Sequence, residues 1–150
     1  MKTYVITLSQ KFQYKHSKAG KPTGFKDKFF EALRGEGGKI HTIRANYDLW
    51  KHRFDEIDAG LAQLSIRQWS GLPYRSKQIE LALLSRKDGI GIQRLKFDKS
   101  GFLPNVDYKP IGIGYLANND GLIFDDWSEW FKDYDKTKPL AVIHFTAFRY

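Results

Sequence analysis

The sequence contains no cysteine, one methionine and only five prolines among its 150 residues. Without cysteine the chain can form neither disulfide bonds nor thiolate zinc sites, and it has no cysteine nucleophile. Its first apolar run covers residues 4–8, which is too short for the core of a signal peptide and far too short to cross a bilayer. We therefore expect a cytoplasmic protein that does not contact membranes.

Several common catalytic motifs are also missing. The sequence has no phosphate-binding loop of the G-x-x-x-x-G-K-[ST] type, no G-x-S-x-G elbow and no H-E-x-x-H zinc helix. The four histidines, His16, His41, His52 and His144, do not follow a metal-ligand spacing. His41 and His144 fall in predicted strands and fit the core or its rim better than a metal site. We expect neither a metal nor another cofactor.

The composition fits a single globular domain over residues 1–150, with 41% hydrophobic and 15% aromatic residues. The net charge of +8 is concentrated in two blocks. Residues 1–53 hold 12 Lys or Arg against 4 Asp or Glu, and residues 67–109 hold 9 against 4. Such a one-signed surface attracts polyanions, so the charge favours RNA, another single-stranded nucleic acid or a nucleotide as partner. A basic face that only confers solubility is the alternative.

The stretch "SIRQWSGLPYRSKQ", residues 65–78, mixes aromatic and cationic side chains around a turn. Its candidate nucleic-acid-binding residues are Arg67, Trp69, Tyr74, Arg75 and Lys77. Aromatic rings stack on bases while guanidinium and ammonium groups hold phosphates, which is the combination that single-stranded or flipped-out bases require. A tryptophan in the core with solvated cations around it explains the same residues equally well.

Short alternating segments and three short amphipathic helices predict an α+β fold. The strands do not alternate regularly with helices, which favours a mainly antiparallel sheet or small β-barrel with flanking helices. Thr23 and Asn46 are candidate helix caps, and Asp88-Gly89 predicts a β-hairpin. Residues 111–117 predict a further strand, and residues 98–110 a loop. A last helix is expected around Trp127 and Trp130, before a final strand within residues 139–150.

The segment "GGKIHTIR", residues 37–44, fits the pattern G-x-K-x-x-T-x-R. This pattern resembles the signature of the ASCH domains, a branch of the PUA-like superfamily, in which an acidic residue usually occupies the place of Thr42. Threonine at that position is similar to the small bacterial ASCH proteins with acetylcytidine amidohydrolase activity. The helix before the signature and the closing strand agree with that family. The resemblance implies a small PUA-like β-barrel with a basic cleft.

The resemblance also implies catalytic roles. Lys39 falls on the family's catalytic lysine and Thr42 on its threonine nucleophile, while Asp120 stands near the place of the family's glutamate. A threonine hydroxyl needs a base, and a lysine can serve when its pKa falls from about 10.4 towards 7 or 8. Arg44 is then free to bind a phosphate or an oxyanion. Side chains three apart on a strand point to opposite faces, so Lys39 must precede the strand.

Three functions fit these observations. The first is an ASCH-type domain that binds nucleic acid or a nucleotide and recognises a base in a cleft lined by Lys39, Thr42 and Arg44. The second is an amidohydrolase that removes an acyl group from a modified nucleoside. The third is a protein-interaction domain that uses an aromatic surface around Trp127 and Trp130.

Overall fold

The computed structural model describes all 150 residues and has an α+β fold with eight strands and four α-helices. The strands are β1 (Lys2–Thr7), β2 (His41–Arg44), β3 (Ala62–Trp69), β4 (Gln78–Leu84), β5 (Gly91–Phe97), β6 (Pro104–Val106), β7 (Lys109–Pro110) and β8 (Leu140–His144). The helices are α1 (Phe25–Leu33), α2 (Tyr47–Asp58), α3 (Ile113–Asn119) and α4 (Phe124–Trp130). None of the helices has the length and apolar character needed to cross a membrane.

The strands form two sheets. One has the order β1-β3-β4, and the other the order β2-β8-β5-β6-β7. Only the β1–β3 pair is parallel, and all other pairs are antiparallel. The mainly antiparallel α+β prediction is therefore confirmed, but the strands do not close into one barrel. Each sheet keeps its own edge strands, so no continuous ring of hydrogen bonds joins them.

Local capping signals placed the first two helices correctly. Asn46 accepts a hydrogen bond from the Leu49 N–H through its side chain at 3.2 Å and begins α2. The Thr23 hydroxyl accepts from the Phe25 N–H at 3.2 Å at the start of α1. Both contacts satisfy backbone donors that a helix start leaves unpaired. Only Asn46 is an N-cap as predicted: the N-cap of α1 is Gly24, with a φ of 73° and no side-chain cap hydrogen bond, and Thr23 lies one residue before it. The apolar stripe of α2, with Trp50, Phe54 and Ile57, is buried in the core.

The hairpin predicted at Asp88-Gly89 is wrong, because β4 and β5 lie in different sheets. A tight two-residue hairpin of type I′ needs positive φ at both central residues, and here only Gly89 has it, at 81°. Asp88 instead closes a capping box with Ser85, whose N–H donates to the Asp88 carboxylate at 2.8 Å. The resulting 3₁₀ turn carries the chain from one sheet to the other.

Two further predictions also fail. Residues 98–110 contain the β6–β7 hairpin, whose turn residues Asp107 and Tyr108 have positive φ values of 48° and 69° without any glycine. Residues 113–119 form helix α3 and not a strand. The alternation of isoleucine and glycine mimics a strand, but the neighbours Leu116 and Ala117 are both buried, which an alternating strand with one buried face does not produce. The last helix and the final strand, α4 and β8, lie where the sequence places them.

One hydrophobic cluster of 27 buried residues contains side chains from both sheets and from all four helices. Strand β8 is buried along its whole length, between β2 and β5. Because β2 pairs with β8, the segment that carries the G-x-K-x-x-T-x-R pattern is fixed against the most buried strand of the molecule.

The turn before β2 depends on Gly38. Its φ is 74°, and a Cβ added there would lie 2.2 Å from the Lys28 carbonyl oxygen of α1. Gly37 also has positive φ, 84°, but a Cβ at that position would meet nothing within 4 Å. Both glycines permit the left-handed turn, and only Gly38 is also enclosed.

We expect Gly38→Ala to lower the free energy of unfolding by about 3 kcal/mol or more, because it combines backbone strain with a clash against the main chain. Gly37→Ala is the matched control and should cost only about 1–2 kcal/mol, since it adds left-handed strain alone. Urea unfolding of both variants measures the difference. Equal losses in the two variants would contradict the role assigned to the contact with Lys28.

Candidate active site

Lys39 lies just before the strand, as the predicted geometry requires. Its N–H donates to the Lys28 carbonyl at 2.9 Å, and the Ile40 N–H donates to the Asn119 carbonyl at 2.9 Å. Strand β2 begins only at His41. The turn therefore aims the side chain of Lys39 into the same pocket that Thr42 lines from the strand.

Lys39 and Asp120 form a buried ion pair. The Lys39 Nζ lies 2.6 Å from Asp120 Oδ1 and donates to the Asp120 carbonyl oxygen at 2.7 Å. The two side chains are only 3% and 4% exposed. Asp120 directly follows α3, so the end of this helix sets the position of the carboxylate. The ammonium also lies 4.2 Å from the centre of the Phe25 ring, which contributes a cation–π contact.

Burial and the charge of the partner act in opposite directions on the pKa of both members of this pair. It lowers the pKa of the Lys39 amine below the ordinary lysine value, against the raising effect of the Asp120 carboxylate. Burial alone would raise the pKa of Asp120, but the charge of Lys39 and the His41 ring outweigh it and keep that pKa below its usual value. The arrangement thus favours an ionised carboxylate beside an amine that gives up its proton more easily than a surface lysine.

Thr42 and Arg44 point to one face of β2, two residues apart. The Arg44 Nη1 donates to Thr42 Oγ1 at 2.8 Å, and its Nη2 donates to the Thr7 carbonyl at 2.9 Å. A guanidinium that donates to a hydroxyl oxygen favours the deprotonated form of that hydroxyl. No hydrogen bond joins Lys39 Nζ to Thr42 Oγ1, so proton transfer between them requires the amine to turn away from Asp120.

The pocket that holds these four side chains is narrow. Its cavity volume is about 20 Å³, roughly the space for one water molecule. Its apolar lining residues are Leu8, Phe25, Ile43, Leu122, Trp130 and Phe131. A nucleoside base is far larger than the cavity, so only a small group can reach Lys39 and Thr42 unless the apolar wall moves.

One part of that wall is held by the lysine-rich segment 10–24. Phe12 from this segment packs on Trp130 with ring centres 5.8 Å apart. His16 is buried beside α4, with its Nε2 3.1 Å from the Asp126 carbonyl and its Nδ1 2.9 Å from a Glu129 carboxylate oxygen. The lysine-rich segment 10–24, which is part of the first basic block, is thereby attached next to the pocket.

The predicted nucleic-acid-binding residues other than Arg44 lie outside the pocket, at the end of β3 and in the loop after it. The Trp69 and Tyr74 rings are 5.2 Å apart, and Tyr74 is 90% exposed with a positive φ of 63°. Arg75 and Lys77 are exposed and form no ion pair, while Arg67 donates to Ser65 Oγ at 2.9 Å. The stretch therefore places an exposed tyrosine, packed on the half-buried Trp69, beside two unpaired cations.

Thr7 connects this loop to the pocket. Its carbonyl accepts from Arg44, and its hydroxyl accepts from the Gln78 side chain at 3.1 Å. Gln78 opposes Trp69 in the β3–β4 register. The two groups of predicted residues are thus neighbours across the end of β1, but they do not form one cleft.

The aromatic surface predicted around Trp127 and Trp130 is not formed. Trp127 is 2% exposed and packs against Phe97 and Phe131 inside the core. Trp130 is half-buried between Phe12 and Phe25. Both rings belong to the wall and core of the molecule, because α4 turns them towards the interior.

Two residues of the site, His41 and Tyr150, were not predicted as site residues from the sequence. The sequence placed His41 in the core or at its rim, and its Nδ1 lies 3.8 Å from Asp120 Oδ1. Tyr150 places its hydroxyl 2.6 Å from His41 Nε2. The position of His41 between Lys39 and Thr42 was a signal for it, whereas Tyr150 is 109 residues away and has no local signal.

No group of three or more His, Cys, Asp or Glu side chains is arranged to hold a metal ion. No protein-family model, no curated protein and no solved structure matches the chain significantly. The chemistry of the site must therefore be inferred from its own residues.

Because breaking a buried pair leaves one charge unpaired, Asp120→Asn should lower the free energy of unfolding by about 3 kcal/mol at pH 7. The native pKa of Asp120 is depressed, so its contribution is complete above the unfolded pKa of about 3.9 and is lost as the pH falls through the native pKa. The difference in the free energy of unfolding between wild type and variant should therefore become smaller below about pH 4. Urea unfolding between pH 3 and 7 measures this difference.

Glu36→Gln is the control for that series. Glu36 pairs with Arg34 on the surface, where both side chains are more than half exposed. Its loss should change stability by less than about 0.5 kcal/mol. If the difference in the free energy of unfolding between wild type and Asp120→Asn stays constant down to pH 3, this result contradicts the depressed native pKa of Asp120.

Proposed function

We propose that the protein is an amidohydrolase that removes a small acyl group from the amino group of a modified nucleobase, with cytosine as the first candidate base. The observation that carries the proposal is the buried Lys39–Asp120 pair beside Thr42, in one pocket with Arg44. A lysine is rarely buried unless it is paired or functional, and buried groups with shifted pKa values cluster at catalytic sites.

The reaction uses Thr42 as nucleophile. Its Oγ attacks the amide carbonyl carbon, Lys39 accepts the hydroxyl proton, and the carbonyl becomes an oxyanion. Collapse of this intermediate breaks the C–N bond, and Lys39 returns the proton to the departing amine. Water then attacks the acyl-threonine ester, with Lys39 again as base, and releases the carboxylic acid. Atoms balance as amide plus water giving amine plus acid.

Arg44 and Asp120 support these steps. Arg44 already donates to Thr42 Oγ1, so its positive charge stabilises the alkoxide and the neighbouring oxyanion. Asp120 holds the Lys39 amine in place through the 2.6 Å contact. The lowered pKa of Lys39 makes the neutral amine, the form that a general base requires, easier to reach than it is for a surface lysine.

The size of the pocket narrows the substrate class. A cavity of about 20 Å³ accepts an acetyl group more readily than a long acyl chain. The base itself then remains at the mouth of the pocket, next to the wall of Trp130 and the end of β1. The amide bond is then cleaved inside the pocket, and the base is recognised at its mouth.

We further propose that the chain belongs to the ASCH branch of the PUA-like superfamily. The G-x-K-x-x-T-x-R pattern supports this assignment, and so does the entry of Asp120, which lies 81 residues from Lys39, into the same pocket. The PUA-like barrel is here proposed in an open form, with its strands divided between two sheets. Asp120 is one carbon shorter than the family's glutamate.

Thr42→Ala is expected to reduce turnover of N4-acetylcytidine by about a thousandfold or more, because it removes the nucleophile. Thr42→Ser should keep measurable turnover, since it retains the hydroxyl. Chromatography of a panel of N-acylated cytidines and adenosines provides the measurement. Thr3→Ala, at an exposed threonine of β1, is the matched control and should leave turnover unchanged. Absence of turnover by the wild type across the panel would overturn the proposal.

A second function, binding of single-stranded nucleic acid, is favoured by the pair of the exposed Tyr74 and the half-buried Trp69. Aromatic rings beside unpaired cations bind bases and phosphates together. Because this loop adjoins the pocket through Thr7, binding of a strand and deacylation of one of its bases are compatible. In that case the modified base belongs to a polynucleotide and not to a free nucleoside.

Tyr74→Ala should weaken binding of a fluorescent single-stranded RNA by roughly tenfold, because each stacked base contributes about 1–3 kcal/mol. Arg75→Ala should reduce the slope of log affinity against log salt by about 0.7, as expected for one phosphate contact. Arg34→Ala, a surface arginine at the end of α1, is the control. Titrations by fluorescence anisotropy at several salt concentrations provide both values. Affinities of Tyr74→Ala and Arg75→Ala equal to wild type would exclude this loop as the binding surface.

A further inference from the structure

A line of buried polar groups continues from Asp120 away from the pocket. Asp120 Oδ1 is 3.8 Å from His41 Nδ1, and His41 Nε2 is 2.6 Å from the Tyr150 hydroxyl. The Asn119 side chain donates its Nδ2 hydrogen to the same hydroxyl at 3.0 Å. His41 is completely buried, and its Nδ1 has no partner at hydrogen-bond distance. The acyl-transfer steps described above use neither His41 nor Tyr150.

Hydrogen-bond accounting fixes the tautomer of His41. An amide nitrogen can only donate, so the Tyr150 oxygen accepts from Asn119 and its own single hydrogen is free to point at His41 Nε2. Nε2 is then an acceptor, and the neutral imidazole carries its hydrogen on Nδ1. That hydrogen is directed at Asp120. The opposite tautomer would leave the tyrosine hydrogen unbonded and set a lone pair of Nδ1 against a carboxylate.

We infer that Tyr150 and His41 are positioning residues for Lys39, because the Tyr150 hydroxyl fixes His41 as an Nδ1–H donor that holds the Asp120 carboxylate whenever Lys39 is neutral. The catalytic part of this inference rests on the proposed function. The coupling among Tyr150, His41, Asp120 and Lys39 is a property of the fold and can be measured without any substrate.

The physical need for this second donor arises in the reaction. When Lys39 is neutral and turns towards Thr42, Asp120 loses its only cationic partner in a buried site, which is costly for a carboxylate. A shift of about 1 Å brings His41 Nδ1–H within normal hydrogen-bond distance of Asp120. The carboxylate then stays ionised, and Lys39 is not driven to keep its proton in order to neutralise it.

Charged and titratable groups reach this site from four parts of the chain. They are Lys28 on α1, Lys39, His41 and Arg44 in and before β2, Asp120 after α3, and His144 and Tyr150 in and after β8. Burial and the neighbouring His41 and Arg149 lower the pKa of His144 to about 2, so His144 stays neutral throughout the useful pH range.

The first variant is Tyr150→Phe, which removes one hydroxyl and keeps the ring. Without that hydroxyl, His41 is no longer held as an Nδ1 donor, so the negative potential of Asp120 at Lys39 is less compensated. The pKa of Lys39 should rise by roughly half a unit to one unit. The titration is followed through the Lys39 Cε signal by ¹³C NMR, assigned with Lys39→Met. Tyr108→Phe, at an exposed tyrosine, is the control and should leave this titration unchanged.

The second variant is His41→Asn, whose amide places a donor near the position of Nδ1 without a tautomer to fix. In this background Tyr150→Phe should have no further effect on the Lys39 titration, which gives a double-mutant cycle with a defined coupling. A purely structural role of Tyr150 predicts equal effects in both backgrounds. That result, or an unchanged Lys39 pKa in Tyr150→Phe, would overturn the inference.

Enzyme kinetics separate the inference from the proposed function. If the wild type deacetylates N4-acetylcytidine, Tyr150→Phe should lower kcat about three- to tenfold at neutral pH with little change in KM, and raising the pH should restore it. If Tyr150→Phe turns over substrate and the acidic side of its pH–kcat profile matches that of the wild type, the inference is overturned and the proposed function stands. No wild-type turnover, together with the shifted Lys39 titration, would overturn the proposed function and support the inference.

Discussion

The buried ion pair between Lys39 and Asp120 is the constraint to which the neighbouring structure conforms. Removing each charge from water costs several kcal/mol, and their attraction offsets this only in favourable geometry. That geometry requires the end of α3 to meet the turn before β2, where Gly38 allows Lys39 N–H to reach the α1 carbonyl of Lys28. Well-packed apolar residues would often stabilise such a location as well or better. The pair is therefore better explained by chemistry than by stability, which is the basis for proposing a catalytic site.

Local sequence signals predicted the elements of the fold better than their pairing. The cap at Asn46 and the apolar stripes of α1 and α2 act within a few residues, so the sequence alone located both helices, although Gly24 and not Thr23 is the N-cap of α1. Sheet membership depends on contacts between distant segments, and nothing near Asp88-Gly89 indicates that β4 and β5 separate into two sheets. The hairpin at Asp107 and Tyr108 was missed for a related reason: non-glycine residues with positive φ are held there by the surrounding structure.

For the candidate site, the resemblance carried by the segment from Gly37 to Arg44 predicted one cleft lined by Lys39, Thr42 and Arg44, and these three side chains do line one pocket. Asp120 was predicted only through resemblance, and the fold does bring its carboxylate to Lys39. Tyr150 could not be predicted, since its contact with His41 depends on how the segment after β8 folds back. The candidate nucleic-acid-binding residues of the 65–78 stretch lie outside the pocket, on the other side of the end of β1.

This separation has a consequence for the proposed reaction. A cavity for about one water molecule cannot select a nucleobase, so selectivity for the base must come from groups at the mouth: the wall of Trp130 held by the segment 10–24, and the loop that carries Trp69 and Tyr74. Thr7 contacts both Arg44 and Gln78, so a strand bound on the loop approaches the pocket along the end of β1. Under the proposed function, the basic charge acts at the surface, where it would attract a polyanion, while Lys39 lies in a cavity with room for about one water molecule. Burial and the nearby charges of Arg44 and Lys28 lower the pKa of Lys39 there, and full hydration would remove most of that shift.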